Sequence, residues 1–347
     1  MQKKGNKYGV HRVVEPLGVL PQPANKIDNN MDEIYDNEIL IDVKTLNIDS
    51  ASFTDIKARA QNNHEKIKEI MFDIVAKQGK HRNPWTGSGG MLLGVVEKIG
   101  DALIGKTDLQ VGDKIATLVS LSLTPLRIDH IKEIRPEVDQ VDIDGKAILF
   151  ESGIYAKIPD DMPEKLALSA LDVAGAPAQT AKLVKPGDTV LIIGAGGKSG
   201  MLCCYEAKKR AGVTGLVIGL CHSQKSTERL QKLGFCDVVF SADATQPVSV
   251  LEKIEEITDG KLADVTINNV NITDTEMTSI LCTKDSGIVY FFSMATSFTK
   301  AALGAEGVGS DVTMIVGNGY TRGHAEITLE LLRESADLRN IFTELYA

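Results

Sequence analysis

Residues 189–200 read Thr-Val-Leu-Ile-Ile-Gly-Ala-Gly-Gly-Lys-Ser-Gly. The apolar run Val190 to Ile193 meets a cluster of glycines, and a helical pattern follows from Met201 to Ala211. A buried strand, a tight turn and a helix start, in that order, belong to a parallel α/β sheet. The turn is where such sheets set a diphosphate on a helix N-terminus. Glycine is needed there because the backbone turns sharply and must meet a phosphate with no Cβ in the way. Gly194, Gly197 and Gly200 give G-x-x-G-x-x-G spacing, with a further glycine at 196. The strand before, the helix after and a second strand from Gly215 favour a nucleotide loop, with Lys198 and Ser199 inside it, over a turn without a ligand. Gly197-Lys-Ser also suggests a kinase-type P-loop, but that motif needs a glycine five residues earlier, and Ile192 stands there.

The rest of the chain has two textures. From 38 to about 160 it shows short strands and turns: Glu38 to Val43, Gly94 to Gly100, Val111 to Leu118 and Gly153 to Ile158. That pattern predicts a small β-rich, barrel-like domain over 1–160. A helix interrupts it near 61–78, where Ile67, Ile70, Met71, Ile74 and Val75 keep helical spacing. From 161 to 347 helix and strand alternate, with strands at Thr189 to Ile193, Gly215 to Leu220, Val238 to Phe240, Val265 to Ile267, Gly287 to Phe292 and Val312 to Val316. The order predicts a doubly wound, Rossmann-type parallel sheet with helices on both faces, and an α/β fold class.

A chain of 347 residues suffices for two domains. Its formal charge of -9 argues against nucleic acid or an anionic membrane as partner. No stretch is long and apolar enough to span a bilayer. The basic N-terminus lacks the apolar segment of a secretory leader. The five cysteines all lie after residue 202, so no disulfide framework is expected, and a reducing cytoplasm is the expected compartment.

The strand after the glycine loop ends Ile218-Gly-Leu-Cys-His-Ser223, without the Asp or Glu that usually holds the ribose of an unphosphorylated dinucleotide. His222, Ser223, Lys225 and Arg229 are polar or basic instead, so a 2′-phosphate is not repelled; Lys225 and Arg229 read equally well as a solvated helix face. The cofactor expected is NAD or NADP. Asn269 and Asn271 follow the strand Val265 to Ile267, and Ser293 follows Gly287 to Phe292. Ligands bind beyond the carboxyl ends of such strands, which places these three near the ribose or nicotinamide.

The lead into the loop, Val184-Lys-Pro-Gly-Asp-Thr-Val-Leu-Ile-Ile-Gly-Ala-Gly-Gly, with Gly94-Val-Val-Glu-Lys-Ile-Gly and Val111-Gly-Asp-Lys-Ile-Ala, resembles the medium-chain dehydrogenase/reductase superfamily and its GroES-like catalytic domain. Three further stretches resemble one branch of it, the L-erythro-3,5-diaminohexanoate dehydrogenases of bacterial lysine fermentation. They are 79–90 (Gly-Lys-His-Arg-Asn-Pro-Trp-Thr-Gly-Ser-Gly-Gly), 171–180 (Leu-Asp-Val-Ala-Gly-Ala-Pro-Ala-Gln-Thr) and 317–326 (Gly-Asn-Gly-Tyr-Thr-Arg-Gly-His-Ala-Glu). The resemblance implies oxidative deamination of (3S,5S)-3,5-diaminohexanoate to 5-amino-3-oxohexanoate and ammonia, and a homodimer. Two departures stand out. Zinc-bearing relatives carry a Cys where this chain has Asp49, and a Gly-His-Glu near Ser88-Gly-Gly-Met91. With no Cys before 203, neither the catalytic nor the structural zinc set can be built, and no zinc is expected. The closing strand that usually returns to the catalytic domain is also not evident before Ala347.

A metal-free amine oxidation needs a base for the ammonium, a grip on the carboxylate, a partner for the remote ammonium and a fixed C–H. Lys80, His81 and Arg82 form a basic cluster in the 79–90 loop, whose Trp85 and glycines suit closure over a ligand. Arg82 is the first candidate for the carboxylate and Arg322 the second; a solvated basic turn accounts for the cluster nearly as well. Asp49 and Asp172 are the acidic candidates for base or ammonium partner, although a carboxylate at a turn is often a helix cap. His81 is the acid/base candidate, and Tyr320 shares a segment with Arg322 and His324. Glu97 and the pair Cys203-Cys204 read as framework. Two other functions fit the loop: a zinc-independent NADPH enone or quinone reductase, and a nucleotide-binding redox sensor without turnover.

Overall fold

The computed structural model describes residues 2–317 and 319–347. They form two compact units, one ending at Leu168 and also holding Tyr346–Ala347, the other Ser169–Leu345.

The first unit is built on β1 (Glu38–Ile48), α1 (Ser50–Arg59), α2 (His64–Gln78), β2 (Gly90–Ile99), β3 (Lys114–Thr117), β4 (Leu126–Arg135), β5 (Gln140–Phe150) and β6 (Tyr155–Lys157). The strands make one antiparallel sheet in the order β4-β5-β1-β2-β3-β6. Central β1 pairs along its length, with Ile41 opposite Val96 on one side and Ala147 on the other. Its Ile41, Val43, Leu46 and Ile48 share one core with Phe53 and Ile56 of α1 and with Ile67 and Met71 of α2. Each such side chain contributes roughly 1.5–3 kcal/mol by leaving water. The helix expected near 61–78 is α2. Asn63 caps its start by accepting from the Lys66 N–H, and Gly79 ends it in the left-handed region at φ 72°. Helix α1 and the β4–β5 hairpin are additions to the sequence reading.

The second unit carries α3 (Glu164–Leu171) across its boundary, then α4 (Gly175–Leu183), β7 (Thr189–Ile193), α5 (Lys198–Ala211), β8 (Leu216–Cys221), α6 (Gln224–Leu233), β9 (Val238–Ser241), α7 (Pro247–Thr258), β10 (Ala263–Asn268), α8 (Glu276–Leu281), β11 (Thr283–Phe291), α9 (Phe298–Val308), β12 (Thr313–Val316), α10 (His324–Glu334) and α11 (Ala336–Tyr346). The sheet order is β9-β8-β7-β10-β11-β12, parallel throughout. This is the doubly wound order, with the direction of winding reversing between β7 and β10. Val190, Leu191, Ile192 and Ile193 are all fully buried, so β7 is covered on both faces. Leu191 and Ile193 pack with Val250 and Ile254 of α7, whereas α5 packs on β7, β8 and α4. Beyond β12 the described chain ends in helices, where the sequence showed no closing strand.

Candidate active site

In the second unit the glycine loop runs from the end of β7 into α5. Gly194 and Ala195 both donate their N–H to Leu220 O, at 2.9 and 3.0 Å, which pins the turn to β8. Gly194 sits at φ 81°, and a Cβ at Gly200 would lie 2.1 Å from Gly194 O, so the fold itself demands both glycines. Gly197 differs. Its φ is -86°, and a Cβ there would come no nearer than 3.4 Å to any neighbouring atom. Packing among the described residues gives no reason for that glycine. As N-cap of α5 it brings no side chain to the N–H groups of the first helical turn, which lack intrahelical acceptors. Those N–H groups and the positive end of the helix dipole suit a diphosphate.

The carboxyl ends of β7, β8, β10 and β11 share one edge of the sheet, and the cofactor candidates follow them. After β8, His222 and Lys225 are exposed, and Ser223 caps α6 by accepting from Ser226 N at 3.2 Å. Arg229, read equally well as a solvated residue, donates to Gly196 O at 2.6 Å and so ties α6 to the loop. After β10, Asn269 N donates to Ile193 O at 2.9 Å, while its Nδ2 is buried with no partner among the described residues. Asn271 is exposed. Asn268, not singled out beforehand, closes this turn: its Nδ2 donates to Thr275 Oγ1 and Ser279 Oγ at 2.8 and 2.9 Å. After β11, Ser293 is nearly buried, and its Oγ accepts from Ala295 N at 3.1 Å.

Asp172 follows α3 and pairs with Lys198, the first residue of α5, at 3.0 Å. Each side chain is 22% exposed, so the pair holds the turn near the loop and adds little to stability. Two of the three matched stretches meet inside this unit. Thr321 Oγ1 donates to Gln179 Oε1 at 2.8 Å, and Thr328 Oγ1 to Ala174 O at 3.2 Å. A Cβ at Gly175 would lie 2.6 Å from Gly319 O, which explains a glycine at the start of α4. Tyr320 is 45% exposed and meets the buried ring of His324 edge-on at 5.2 Å; burial lowers the His324 pKa. Arg322 is exposed. Asn318 of this stretch lies outside the described residues. Cys203 and Cys204 are fully buried in α5, and burial pushes the Cys203 thiol up to about 12, so both serve packing.

In the first unit the 79–90 loop is not a solvated basic turn. Lys80 is fully buried and donates to Pro21 O and Gln22 O at 2.6 and 2.9 Å. Burial, with repulsion from Arg82, lowers its pKa to about 7. His81 is also fully buried, with neither ring nitrogen partnered among the described residues, and burial lowers its pKa to about 4. A ring of that pKa is neutral and a weak base near pH 7. Arg82 is half-buried beside them. Trp85 is anchored: the Arg59 guanidinium lies 3.5 Å from its ring centroid, and Asn83 Nδ2 donates to Asp55 Oδ2 at 3.2 Å, fastening the loop to α1.

Asp49 is the N-cap of α1. Its Oδ1 accepts from Ala51 N at 3.0 Å, Ser52 N at 3.4 Å and Ser88 Oγ at 3.2 Å. Ser88 Oγ in turn lies 2.9 Å from Thr86 Oγ1. The sequence reading placed Asp49 and Ser88 where zinc-bearing relatives keep their ligands, but did not join them. Among the described residues no group of three or more His, Cys, Asp or Glu side chains is gathered as a metal requires. Glu97 pairs with Lys146 across the sheet, as framework.

Residues 11–159 match the L-erythro-3,5-diaminohexanoate dehydrogenase N-terminal domain. The chain is 66% identical over 344 residues to the L-erythro-3,5-diaminohexanoate dehydrogenase of Fusobacterium nucleatum subsp. nucleatum, covering 99% of each. It is 64% identical over 343 residues to the enzyme of the same name from Acetoanaerobium sticklandii, again covering 99% of each. Among solved structures it resembles a mycobacterial quinone oxidoreductase (TM-score 0.57, 18% identity, 94% of this chain and 87% of the other). It also resembles the Escherichia coli quinone oxidoreductase complexed with NADPH (TM-score 0.52, 17% identity, 94% of this chain and 86% of the other). At such identity the structures speak for the fold alone, the one that the resemblance to medium-chain dehydrogenases implied. The relatives, matched end to end, decide more: this chain belongs to the L-erythro-3,5-diaminohexanoate dehydrogenase family.

Proposed function

We propose that the chain oxidises (3S,5S)-3,5-diaminohexanoate to 5-amino-3-oxohexanoate and ammonia, with NAD or NADP as hydride acceptor, in the cytoplasmic fermentation of lysine. The observation that carries this reading is the 66% identity over 99% of both chains to a dehydrogenase named for that substrate. The quinone-reductase alternative rests on a shared fold at under a fifth identity and is not favoured.

The residues of the second unit fit a nicotinamide dinucleotide. Gly194, Gly197 and Gly200, with the N–H groups of Lys198 and Ser199, hold the diphosphate. His222, Ser223 and Lys225 border the adenosine ribose, and the Nδ2 of Asn269, without a partner among the described residues, would with Asn271 and Ser293 face the other ribose or the ring. When bound, the nicotinamide supplies a hydride acceptor. The protein's part is to make the reacting amine neutral and to orient it. Asp49 takes the proton from the ammonium. Arg82 grips the substrate carboxylate, with Arg322 as its alternative. Asp172 is the partner for the remote ammonium, and exposed Tyr320 borders the substrate. His81, neutral in its buried position, acts as a fixed ring supporting the loop. We infer a zinc-free site from the missing Cys ligands, and a homodimer from the family.

The test is the absorbance of reduced nicotinamide on mixing protein, substrate and NAD or NADP. Substrate-dependent reduction with stoichiometric ammonia is the expected result. No reduction with either cofactor overturns the assignment.

A further inference from the structure

We propose that Ser88 and Thr86 form a hydroxyl chain that keeps Asp49 ionised and carries the substrate's proton from it to solvent. The inference rests on the reading of Asp49 as base. A helix cap needs only the backbone donors, and Asp49 Oδ1 already has two in Ala51 and Ser52. The Ser88 hydroxyl is a third donor to the same oxygen, from a different segment, at 3.2 Å. Behind it stands Thr86 Oγ1 at 2.9 Å. Asp49 and Ser88 are half-buried and Thr86 is exposed, so the three groups step from the interior to water.

Backbone hydrogen bonds fix this order, and the Thr86 hydroxyl adds one contact of its own, accepting from Ser88 N at 3.4 Å. Asn83 N donates to Ser88 O at 2.9 Å, and Gly87 N to Asn83 O at 2.8 Å. Asn83 Oδ1 accepts from Trp85 N at 2.8 Å, and Asp49 N donates to Gly89 O at 3.4 Å. The Ser88 hydroxyl on the carboxylate is therefore surplus to the turn's closure.

The chain conducts a proton in balanced steps. With Asp49 ionised, Thr86 donates to Ser88 and Ser88 to Asp49. An ammonium N–H breaks, and the proton forms an O–H on Asp49. Both hydroxyls rotate, Ser88 O–H toward Thr86 and Thr86 O–H toward water, and the proton then passes from Asp49 to Ser88 Oγ, which releases its own to Thr86 Oγ1, which releases its own to water. These transfers themselves restore the first arrangement, with Thr86 donating to Ser88 and Ser88 to Asp49. One proton has moved from amine to solvent, and nothing is oxidised or reduced.

The test uses the full-length protein and two readouts. Carboxyl-carbon NMR of Asp49 without substrate should show its titration midpoint rise by about one pH unit in Ser88→Ala, because a donor to the ionised form is lost, and return in Ser88→Thr. In turnover, Ser88→Ala and Thr86→Val should lower kcat about tenfold with KM unchanged, and small buffer acids should restore part of the loss. An unmoved titration in Ser88→Ala, or wild-type kcat in both variants, overturns the chain while an inactive Asp49→Asn leaves the base standing. Wild-type turnover in Asp49→Asn overturns the base reading itself.

Discussion

Glu38, at the start of β1, is fully buried, and donors surround its carboxylate: Arg12 Nε and Nη2 at 2.9 and 2.7 Å, His11 Nε2 at 2.8 Å and the Tyr35 N–H at 2.9 Å. Burial alone would raise its pKa; the donors outweigh it and hold the group at about 2, against 4.5 in a free chain. A depressed carboxyl adds stability above its unfolded pKa and loses it as pH falls toward the folded value. Stability should therefore fall between about pH 4.5 and 2, by roughly 3 kcal/mol from this group. Glu38→Gln removes the buried charge opposite Arg12, which keeps Asp28 and the carbonyls of Asn30 and Glu33, and should cost about 3 kcal/mol at pH 7 in urea titrations, with the acid-dependent loss reduced. A variant as stable as the parent would show that the charge is immaterial. None of this was visible from single residues, since His11 and Arg12 lie far from Glu38 in sequence. The same holds for Lys80 and His81, which look like a solvated basic turn until Pro21 and Gln22 are found covering Lys80. Asp49 was legible as a candidate because its place in the order of strands matches a ligand position in relatives; its hydroxyl partners come from a loop some forty residues away in sequence.

At the level of elements, the strands of the second unit were legible to within a few residues. Runs such as Val190 to Ile193 are buried on both faces, and Gly or Asp punctuates them. Strand β4 was not. Its apolar residues Ile128, Ile131 and Ile134 recur every three positions, a helical spacing, because the register with β5 shifts between 128 and 130 and again between 131 and 133. Helix α9 hid behind Gly304 and Gly307, poor helix formers in its interior. The loop into α5 separates two uses of glycine and gives a prediction. Gly197→Ala should leave the thermal midpoint within a degree or two, since its backbone angles are ordinary and a Cβ fits. It should nevertheless weaken NADH or NADPH binding about tenfold or more, read by quenching or enhancement of dinucleotide fluorescence, if a phosphate takes the vacant space. Gly200→Ala should do the reverse first, destabilising the fold because the new carbon meets Gly194 O at 2.1 Å. Equal affinity of parent and Gly197→Ala would place the diphosphate elsewhere.

For the whole molecule, the distribution of soft ligands argues how the chemistry proceeds. All five cysteines lie in the second unit, and Cys203, Cys204, Cys221 and Cys282 are buried there. Burial is the largest cause raising the pKa of each of those four, which disfavours the thiolates that zinc requires. The antiparallel unit has no cysteine to offer, and its Asp49 is committed to a helix cap and the Ser88 hydroxyl. A zinc ion polarises an alcohol oxygen and makes it acidic. A protonated amine needs only to lose a proton to a carboxylate before its C–H is oxidised, and that is the role proposed for Asp49. Turnover should therefore survive exhaustive dialysis against a strong chelator, and metal analysis of the active protein should find far less than one zinc per chain. Activity lost on chelation and restored by added zinc would sink the carboxylate route. Survival of activity, together with loss in Asp49→Asn, would leave that aspartate as the group on which deprotonation of the amine turns.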